Sequence, residues 1–180
     1  MLLLIEVGDF VYCDVIQLLF ALDQIDFVNS DNVNVFGGSM GGALASVAAA
    51  MFPNKVKRAV ISMPFLSDIG RLKTDYQFPQ VYSDLNAYLR TYAMTEDEQT
   101  SIWKTLSYID VKNFAPMISA ETHFQIGTLD TTCPIYTTYA FYNNLICKKQ
   151  LKQFTNYGHE EFPTNVDSSI MFFRSGIEND

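Results

Sequence analysis

A serine in a glycine-rich pentapeptide is the first feature of this sequence that could carry chemistry. The pentapeptide is Gly37-Gly38-Ser39-Met40-Gly41. The form G-x-S-x-G is that of a nucleophile elbow, in which a sharp strand-to-helix turn exposes a serine hydroxyl. It is equally compatible with a tight turn whose serine only caps the following helix. A phosphate-binding loop is less favoured, because no G-K-[ST] follows and no acidic residue marks a ribose site.

A serine hydroxyl is a poor nucleophile near neutral pH and needs a general base. The sequence contains two histidines, His123 and His159. His123 lies in ETHFQIG, within a predicted strand, where a core or strand-end role is expected. His159 lies in NYGHEEFP, a glycine-containing loop that follows the last predicted strand. Such a loop can bring an imidazole back over the carboxyl edge of the sheet, so we expect His159 to be the base.

The base in turn needs a carboxylate that fixes its tautomer and stabilises the imidazolium. Asp130, in IGTLDTTCP, follows the preceding predicted strand by a few residues and faces the same sheet edge. Asp68 and Asp110 have the right residue type, but they lie in a segment where a solvated surface role is expected. The order serine, aspartate, histidine is that of an α/β-hydrolase. The N–H of Met40, directly after the serine, is expected to donate to the oxyanion.

The small residues around Ser39 are predicted to make the sharp turn possible. Side chains at Gly37, Gly41 and Gly42 would clash with the adjacent strand and helix, and the alanines that follow keep the helix close to the sheet. The start of that helix directs free N–H groups and a positive partial charge toward the serine hydroxyl.

Local patterns predict alternating strands and helices around these residues. Apolar side chains at 11, 15, 18, 22 and 25 form one stripe of an amphipathic helix, with Asp9 as its N-cap and a turn at 29–32. Strand followed by helix, repeated along the chain, predicts a mostly parallel sheet with helices on both faces. The predicted strands are 33–36, 56–63, 122–127 and 151–155, and the predicted helices between and after them are 40–52, 135–147 and 168–175.

The segment from Pro64 to Pro116 interrupts this alternation. It is polar and aromatic, with helical stretches near Val81–Met94 and Asp97–Leu106. TEDE at 95–98 resembles a helix N-cap followed by acids in the first turn. We therefore interpret residues 1–180 as a single α/β domain with a helical insertion at 64–116.

Composition limits the classes of partner. With 180 residues, 48% of them hydrophobic and 18% charged, the chain can bury the core of one globular domain. A net charge of −8 argues against nucleic acid or an anionic membrane surface and favours neutral or cationic small molecules. Cys13, Cys133 and Cys147 form no C-x-x-C pair, and no metal-ligand spacing occurs, so free thiols and no metal or organic cofactor are expected.

The apolar N-terminal region is predicted to be neither a signal peptide nor a membrane span. The run MLLLI lacks a basic region before it and meets Glu6 at once, and the run from Phe10 to Leu22 is interrupted by Asp14 and Gln17. We therefore expect a cytoplasmic protein.

Several longer stretches are similar to carbohydrate esterase family seven, the acetyl xylan esterases and cephalosporin C deacetylases. The similarity runs from about Tyr12 to Phe162. The resemblance implies a serine esterase that removes acetyl groups from small acetylated sugars, with Ser39 as nucleophile, Asp130 as acid and His159 as base. It also makes a homo-oligomer an expectation. The stretches are GGSMGGALA, AVISMPFLSD followed by R, TLSYIDVKNFAPMI, GTLDTTCP, FYNNL and YGHEEF.

The sequence departs from the family in two respects. Family members usually carry glutamine where this sequence has Met40. The family's N-terminal half, with its first strands, an Arg-Gly-Gln motif and a second oxyanion donor, has no counterpart here. The resemblance therefore implies an incomplete, C-terminal part of the α/β-hydrolase fold, with 33–36 as an apolar edge strand that LLLIEV at 2–7 could cover as a substitute strand. Two alternatives stay open: a catalytically impaired remnant that binds or assembles, and a peptidase or thioesterase of the same fold.

Overall fold

The computed structural model of this protein describes residues 2–74 and 78–177. Within these ranges the chain alternates helices and parallel strands and adds short 3₁₀ turns. In chain order the elements are α1 Leu2–Ala21, β1 Val33–Gly38, α2 Met40–Met51, β2 Val56–Ser62, α3 Ser83–Tyr92, α4 Glu96–Leu106, β3 Glu121–Gly127, α5 Ile135–Asn144, β4 Lys149–Phe154 and α6 Asn165–Ile177.

The four strands form one parallel sheet in the order β1-β2-β3-β4. Phe36 is aligned with Val60, and Val60 with His123 on the next strand. Because all four strands run in the same direction, their carboxyl ends lie along one edge of the sheet. The predicted mostly parallel sheet is confirmed, and the loops after β1, β3 and β4 all leave from this edge.

Helices cover both faces of the sheet. Ala59 and Ile61 of β2 are fully buried in the main core with α2, which packs on β1 and β2. Arg58 points to the opposite face, since side chains alternate along a strand. There its guanidinium lies 4.8 Å from the ring centre of Phe172 on α6 and donates to the Phe172 carbonyl. The two faces therefore carry different helices, as the alternating sequence predicts.

The strand β1 lies at the edge of the sheet in the described part of the chain. It pairs with β2 on one side, and on the other side no described strand pairs with it. Phe36, at its centre, is 47% exposed. The prediction that LLLIEV at 2–7 forms a substitute strand is wrong, because these residues lie in α1. Asp9 is not an N-cap either, since α1 begins at Leu2.

The other helix and strand predictions differ from the structure mainly at their ends. The helix predicted at 168–175 begins three residues earlier and ends two residues later, and the helix predicted to reach Cys147 ends at Asn144. None of the helices that the structure describes combines the length and apolar character needed to cross a bilayer.

Residues 64–116 hold the helices α3 and α4 and several 3₁₀ turns, and no strand among their described residues. The predicted cap at TEDE is confirmed as a capping box at the start of α4. The Thr95 hydroxyl accepts the Glu98 N–H at 3.2 Å, and the Glu98 carboxylate accepts the Thr95 N–H at 2.9 Å. Two backbone donors that the helix itself cannot satisfy are thus paired.

Replacing Thr95 tests how much the capping box at the start of α4 contributes to stability. We expect Thr95→Ala to lower the free energy of unfolding by about 1 kcal/mol, because the Glu98 N–H loses its acceptor. Thr100→Ala, an exposed substitution inside the same helix, should leave that free energy nearly unchanged. Urea unfolding followed by circular dichroism measures both. Equal effects of the two substitutions would contradict a stabilising role for the capping box.

Candidate active site

Ser39 occupies the sharp turn between β1 and α2. Its backbone has φ 55° and ψ −120°, a conformation that residues other than glycine rarely adopt. The turn is held on both sides: the Ser39 N–H donates to the Ser62 carbonyl at 3.0 Å, and the Ser39 carbonyl accepts the Phe65 N–H at 3.0 Å. Strain at a residue that is fixed by its surroundings is typical of functional sites.

Two of the three predicted glycine requirements are confirmed. A Cβ at Gly37 would lie 2.1 Å from the Gly41 carbonyl oxygen, and a Cβ at Gly42 would lie 2.8 Å from the Ser62 carbonyl oxygen. Neither position can accept a side chain without movement of the backbone. The requirement at Gly41 is wrong, because a Cβ there would meet nothing within 4 Å.

The structure brings Ser39, His159 and Asp130 into one hydrogen-bonded chain. The His159 Nδ1 lies 2.9 Å from the Asp130 Oδ2, and its Nε2 lies 2.9 Å from the Ser39 Oγ. The Asp130 side chain is 1% exposed and the His159 side chain 25% exposed. With the imidazole proton on Nδ1, Nε2 is free to accept the serine proton, which is the geometry required of a general base.

The carboxylate of Asp130 is fixed by its own loop. Its Oδ1 accepts the backbone N–H groups of Thr132 at 2.9 Å and Cys133 at 2.8 Å. These two bonds leave Oδ2 for the imidazole. The carboxylate therefore has its orientation set before it meets His159, and it remains an acceptor toward Nδ1.

The loop that carries His159 packs directly on the end of β3. The Leu129 N–H donates to the Tyr157 carbonyl at 2.8 Å, which joins the aspartate loop to the histidine loop. At Gly127, an added Cβ would lie 2.5 Å from the Gly158 carbonyl oxygen and 2.6 Å from the Tyr157 carbonyl oxygen. Gly127 was not identified from the sequence, although its place between the predicted strand and Asp130 was the available signal.

We expect Gly127→Ala to displace the histidine loop. The methyl group meets two backbone oxygens, so the free energy of unfolding should fall by about 1–3 kcal/mol. Ester hydrolysis should also fall, because about 1 Å of misplacement can cost on the order of 100-fold in rate. Thermal unfolding and p-nitrophenyl acetate hydrolysis measure the two effects.

The matched control is Gly158→Ala, where an added Cβ has no neighbour closer than 3.7 Å. It should keep both stability and rate within a few-fold of the unsubstituted chain. If Gly127→Ala behaves like Gly158→Ala, close packing at Gly127 does not position His159.

Asp110 is buried and structural, so the predicted solvated surface role is wrong. Its carboxylate accepts three backbone N–H bonds, at 2.9, 2.8 and 3.0 Å, from Asp68, Ile69 and Lys112. Burial raises the pKa of Asp110, an effect that these hydrogen bonds oppose. The bonds fix the end of the loop at 63–68, whose first half contacts Ser39.

Asp68 is also buried, contrary to the same expectation. It forms ion pairs with Arg71 and Lys112. Neither Asp68 nor Asp110 bonds His159, so Asp130 is the carboxylate that the histidine meets.

His123 lies away from the serine, as expected of a strand histidine. Its ring stacks on Phe172 of α6, with ring centres 3.6 Å apart. Burial lowers the pKa of His123, because the charged imidazolium is poorly solvated there. His123 therefore helps to attach α6 to the sheet.

A cleft of about 340 Å³ opens beside the serine. Its volume lies at the small end of the range for ligand pockets. Met40 begins α2, so its N–H has no acceptor within that helix, and it directly follows Ser39 in the chain. The cleft is lined by Phe36, Gly38, Ser39, Ser62, Met63, His159, Glu160, Glu161 and Asn165.

Cys133 was not identified from the sequence as part of this site, yet its thiol lies beside all three residues. It is 3% exposed, and its sulfur is in hydrogen-bonding contact with the Ser39 hydroxyl. Burial, reinforced by the charge of Asp130, raises the pKa of Cys133, which keeps the thiol protonated. The stretch Asp-Thr-Thr-Cys was the available signal.

A family model described as acetyl xylan esterase (AXE1) matches residues 9–177. The chain belongs to the acetyl xylan esterase family. It is 30% identical over 145 residues to the acetyl esterase Axe7A of Xylanibacter ruminicola, a match that covers 78% of this chain.

Solved structures similar to this chain include acetyl xylan esterases. The acetyl xylan esterase from Paenibacillus sp. R4 superimposes with a TM-score of 0.83 at 32% identity over 92% of this chain. Acetyl xylan esterase 1 from a Thermoanaerobacterium species gives a TM-score of 0.82 at 31% identity over 91%. A putative dipeptidyl aminopeptidase IV from Bacteroides ovatus, at 18% identity and a TM-score of 0.64, shares the fold alone.

The relatives are considerably longer than this chain. The match spans 30% of the Xylanibacter protein and 52% and 51% of the two solved acetyl xylan esterases. The family and these structures show the α/β-hydrolase fold.

Proposed function

We propose that this chain is a serine esterase that removes acetyl groups from acetylated xylo-oligosaccharides or related small acetates. The observation that carries the proposal is the hydrogen-bonded chain from Ser39 through His159 to Asp130, with 2.9 Å at each contact of the imidazole. Membership of the acetyl xylan esterase family and the small cleft beside Ser39 support the acetyl group as the acyl part.

In the proposed reaction, the Ser39 Oγ attacks the acetyl carbonyl while the His159 Nε2 takes its proton. Asp130 accepts the Nδ1–H and stabilises the imidazolium, and the Met40 N–H donates to the oxyanion. The sugar hydroxyl then leaves with the proton from His159, and an acetyl-enzyme remains. A water molecule, activated by the same imidazole, hydrolyses the acetyl-enzyme and releases acetate.

Substrate size tests the proposal. With p-nitrophenyl esters, we expect kcat/KM to fall by roughly tenfold or more from acetyl to octanoyl, because the cleft lies at the small end of ligand pockets. Acetylated xylo-oligosaccharides should release acetate, and an aminoacyl p-nitroanilide should not be cleaved. Preferential cleavage of the anilide, or of an acyl thioester, would favour the peptidase or thioesterase alternative instead.

The nucleophile can be identified independently of the natural substrate. An organophosphate ester transfers its phosphoryl group to an activated serine, so one equivalent should label the peptide that contains Ser39. Serines elsewhere, such as the buried Ser46 that donates to the Gly42 carbonyl, should stay unlabelled. A chain that takes no label and hydrolyses no ester would instead match the remnant alternative.

A further inference from the structure

Beside the Ser39 hydroxyl lies a set of side chains with the chemistry of a zinc site. Asp130, Cys133 and His159 each offer one ligand atom, and these three atoms all lie within 4.8 Å of one another. A carboxylate oxygen, a sulfur and an imidazole nitrogen are the ligand types that zinc prefers. Asp130 and Cys133 are buried, so the cluster is not an exposed acidic patch.

From this juxtaposition we propose that the site binds Zn²⁺ through Asp130, Cys133 and His159, and that the bound ion switches the hydrolase off. The inhibitory effect rests on the esterase function proposed above, whereas metal binding itself does not. The ligand atoms are the Asp130 Oδ2, the Cys133 Sγ and the His159 Nδ1. The fourth position is open to water, since the Ser39 hydroxyl lies on the other side of the imidazole, 2.9 Å from Nε2.

The distances allow this arrangement with small movements. Zinc bonds of about 2.0–2.1 Å to nitrogen and 2.3 Å to sulfur place tetrahedral ligands about 3.3–3.8 Å apart. The Nδ1 and Oδ2 atoms are already 2.9 Å apart, and the sulfur, which lies within 4.8 Å of its two partner atoms, must move closer by about 1 Å at most. The Asp130 Oδ1 can keep its two backbone hydrogen bonds from Thr132 and Cys133 throughout.

The proton balance explains why zinc would inhibit. The Cys133 thiol loses one proton to solvent when its sulfur bonds the metal. The imidazole proton moves from Nδ1 to Nε2, because Nδ1 now donates its lone pair to zinc. An Nε2 that carries a proton cannot accept the one from Ser39, so the general base is lost. Zinc thus replaces the proton that joins His159 to Asp130.

A chain with a single thiol makes the binding test specific. The sequence has three cysteines, so Cys13→Ser combined with Cys147→Ser leaves Cys133 alone. Cys13 is exposed, and Cys147 contacts Thr122 instead of the site. Cd²⁺, a probe with the same ligand preferences, should give a thiolate-to-metal charge-transfer band with this folded chain at one equivalent. The band should disappear when the same chain is unfolded in urea.

Removal of the remaining thiol is the second measurement. Adding Cys133→Ser or Cys133→Ala to the two-serine chain should abolish the cadmium band. Relative to each variant's own metal-free rate, half-inhibition of ester hydrolysis should need roughly tenfold or more Zn²⁺. Inhibition of the single-thiol chain should be reversed by EDTA.

The outcomes separate the two proposals. No cadmium band in the folded single-thiol chain overturns the metal site, whether or not the chain is an esterase. A band without inhibition by zinc shows that the metal binds but does not displace the base, which overturns the switch. Hydrolysis absent from every variant, together with a band, refutes the esterase function while the metal site stands.

Discussion

Ser39→Ala should reduce p-nitrophenyl acetate hydrolysis by a factor on the order of 10⁴ or more. The hydroxyl is the group that forms the acetyl-enzyme, and its oxygen is the one that the His159 Nε2 contacts, at 2.9 Å. The residual rate should equal the rate at which bulk water attacks an ester bound in the cleft, with the Met40 N–H still donating to the oxyanion. Steady-state kinetics under saturating ester measure the loss in kcat.

The fold should survive this substitution, which keeps the interpretation simple. The backbone bonds of Ser39 to Ser62 and Phe65 do not involve its side chain. Alanine, however, must adopt the same positive φ of 55°, which costs it about as much as it costs serine. Thermal unfolding should therefore shift little, and the organophosphate label should be lost completely. Retention of half the activity by the folded variant, or of the organophosphate label, would refute Ser39 as the nucleophile.

The three residues of the site could be predicted because parallel strands impose a simple rule. Loops at the carboxyl ends of parallel strands meet at one edge of the sheet. Ser39, Asp130 and His159 each follow a strand that the local sequence pattern predicts. Strand identity alone therefore placed them near one another, and residue chemistry assigned the roles. The 2.9 Å contacts themselves come from the structure, because topology and residue type predict proximity and not atomic distances.

What the sequence did not predict depends on contacts between distant segments. Aspartate is a residue type that is usually exposed, so the sequence around Asp110 predicts a surface position. The N–H groups of Asp68 and Ile69, which bind its carboxylate, lie 42 and 41 residues earlier in the chain, and only the fold brings them there. A side chain at Gly127 is excluded by the backbone of the loop at 157–158, and a local sequence pattern cannot show this contact. Requirements that arise from long-range packing have no periodic signature, so they escape sequence reasoning.

The N-terminal element was predicted incorrectly for a different reason. A short apolar run such as LLLIEV is compatible with either a buried strand or a helix segment. Here the helical pattern of the residues that follow continues back through it, and α1 begins at Leu2. The family resemblance, and not the local pattern, was the source of the expectation that 33–36 is an edge strand, and β1 lies at the edge among the described strands.

Asp130→Asn should lower kcat by a factor on the order of 10³–10⁴ while the structure stays intact. The asparagine oxygen can still accept the N–H groups of Thr132 and Cys133, as the Oδ1 atom of Asp130 does. Its amide then faces the His159 Nδ1 as a donor. Nδ1 must become the acceptor, the imidazole proton moves to Nε2, and the ring can no longer take the proton of Ser39.

Asp110→Asn is the matched control, since Asp110 is another buried carboxylate that accepts backbone N–H bonds. It should lower the free energy of unfolding, because an amide presents fewer acceptors to the three donors, and leave kcat per folded molecule within a few-fold. Urea unfolding and initial rates on the same samples separate the two effects. A similar fall in kcat for both variants would mean that the rate depends on the loops as a whole. A fall confined to Asp130→Asn assigns it to the tautomer of His159, because Thr132, Cys133 and the elbow at Ser39 are unchanged.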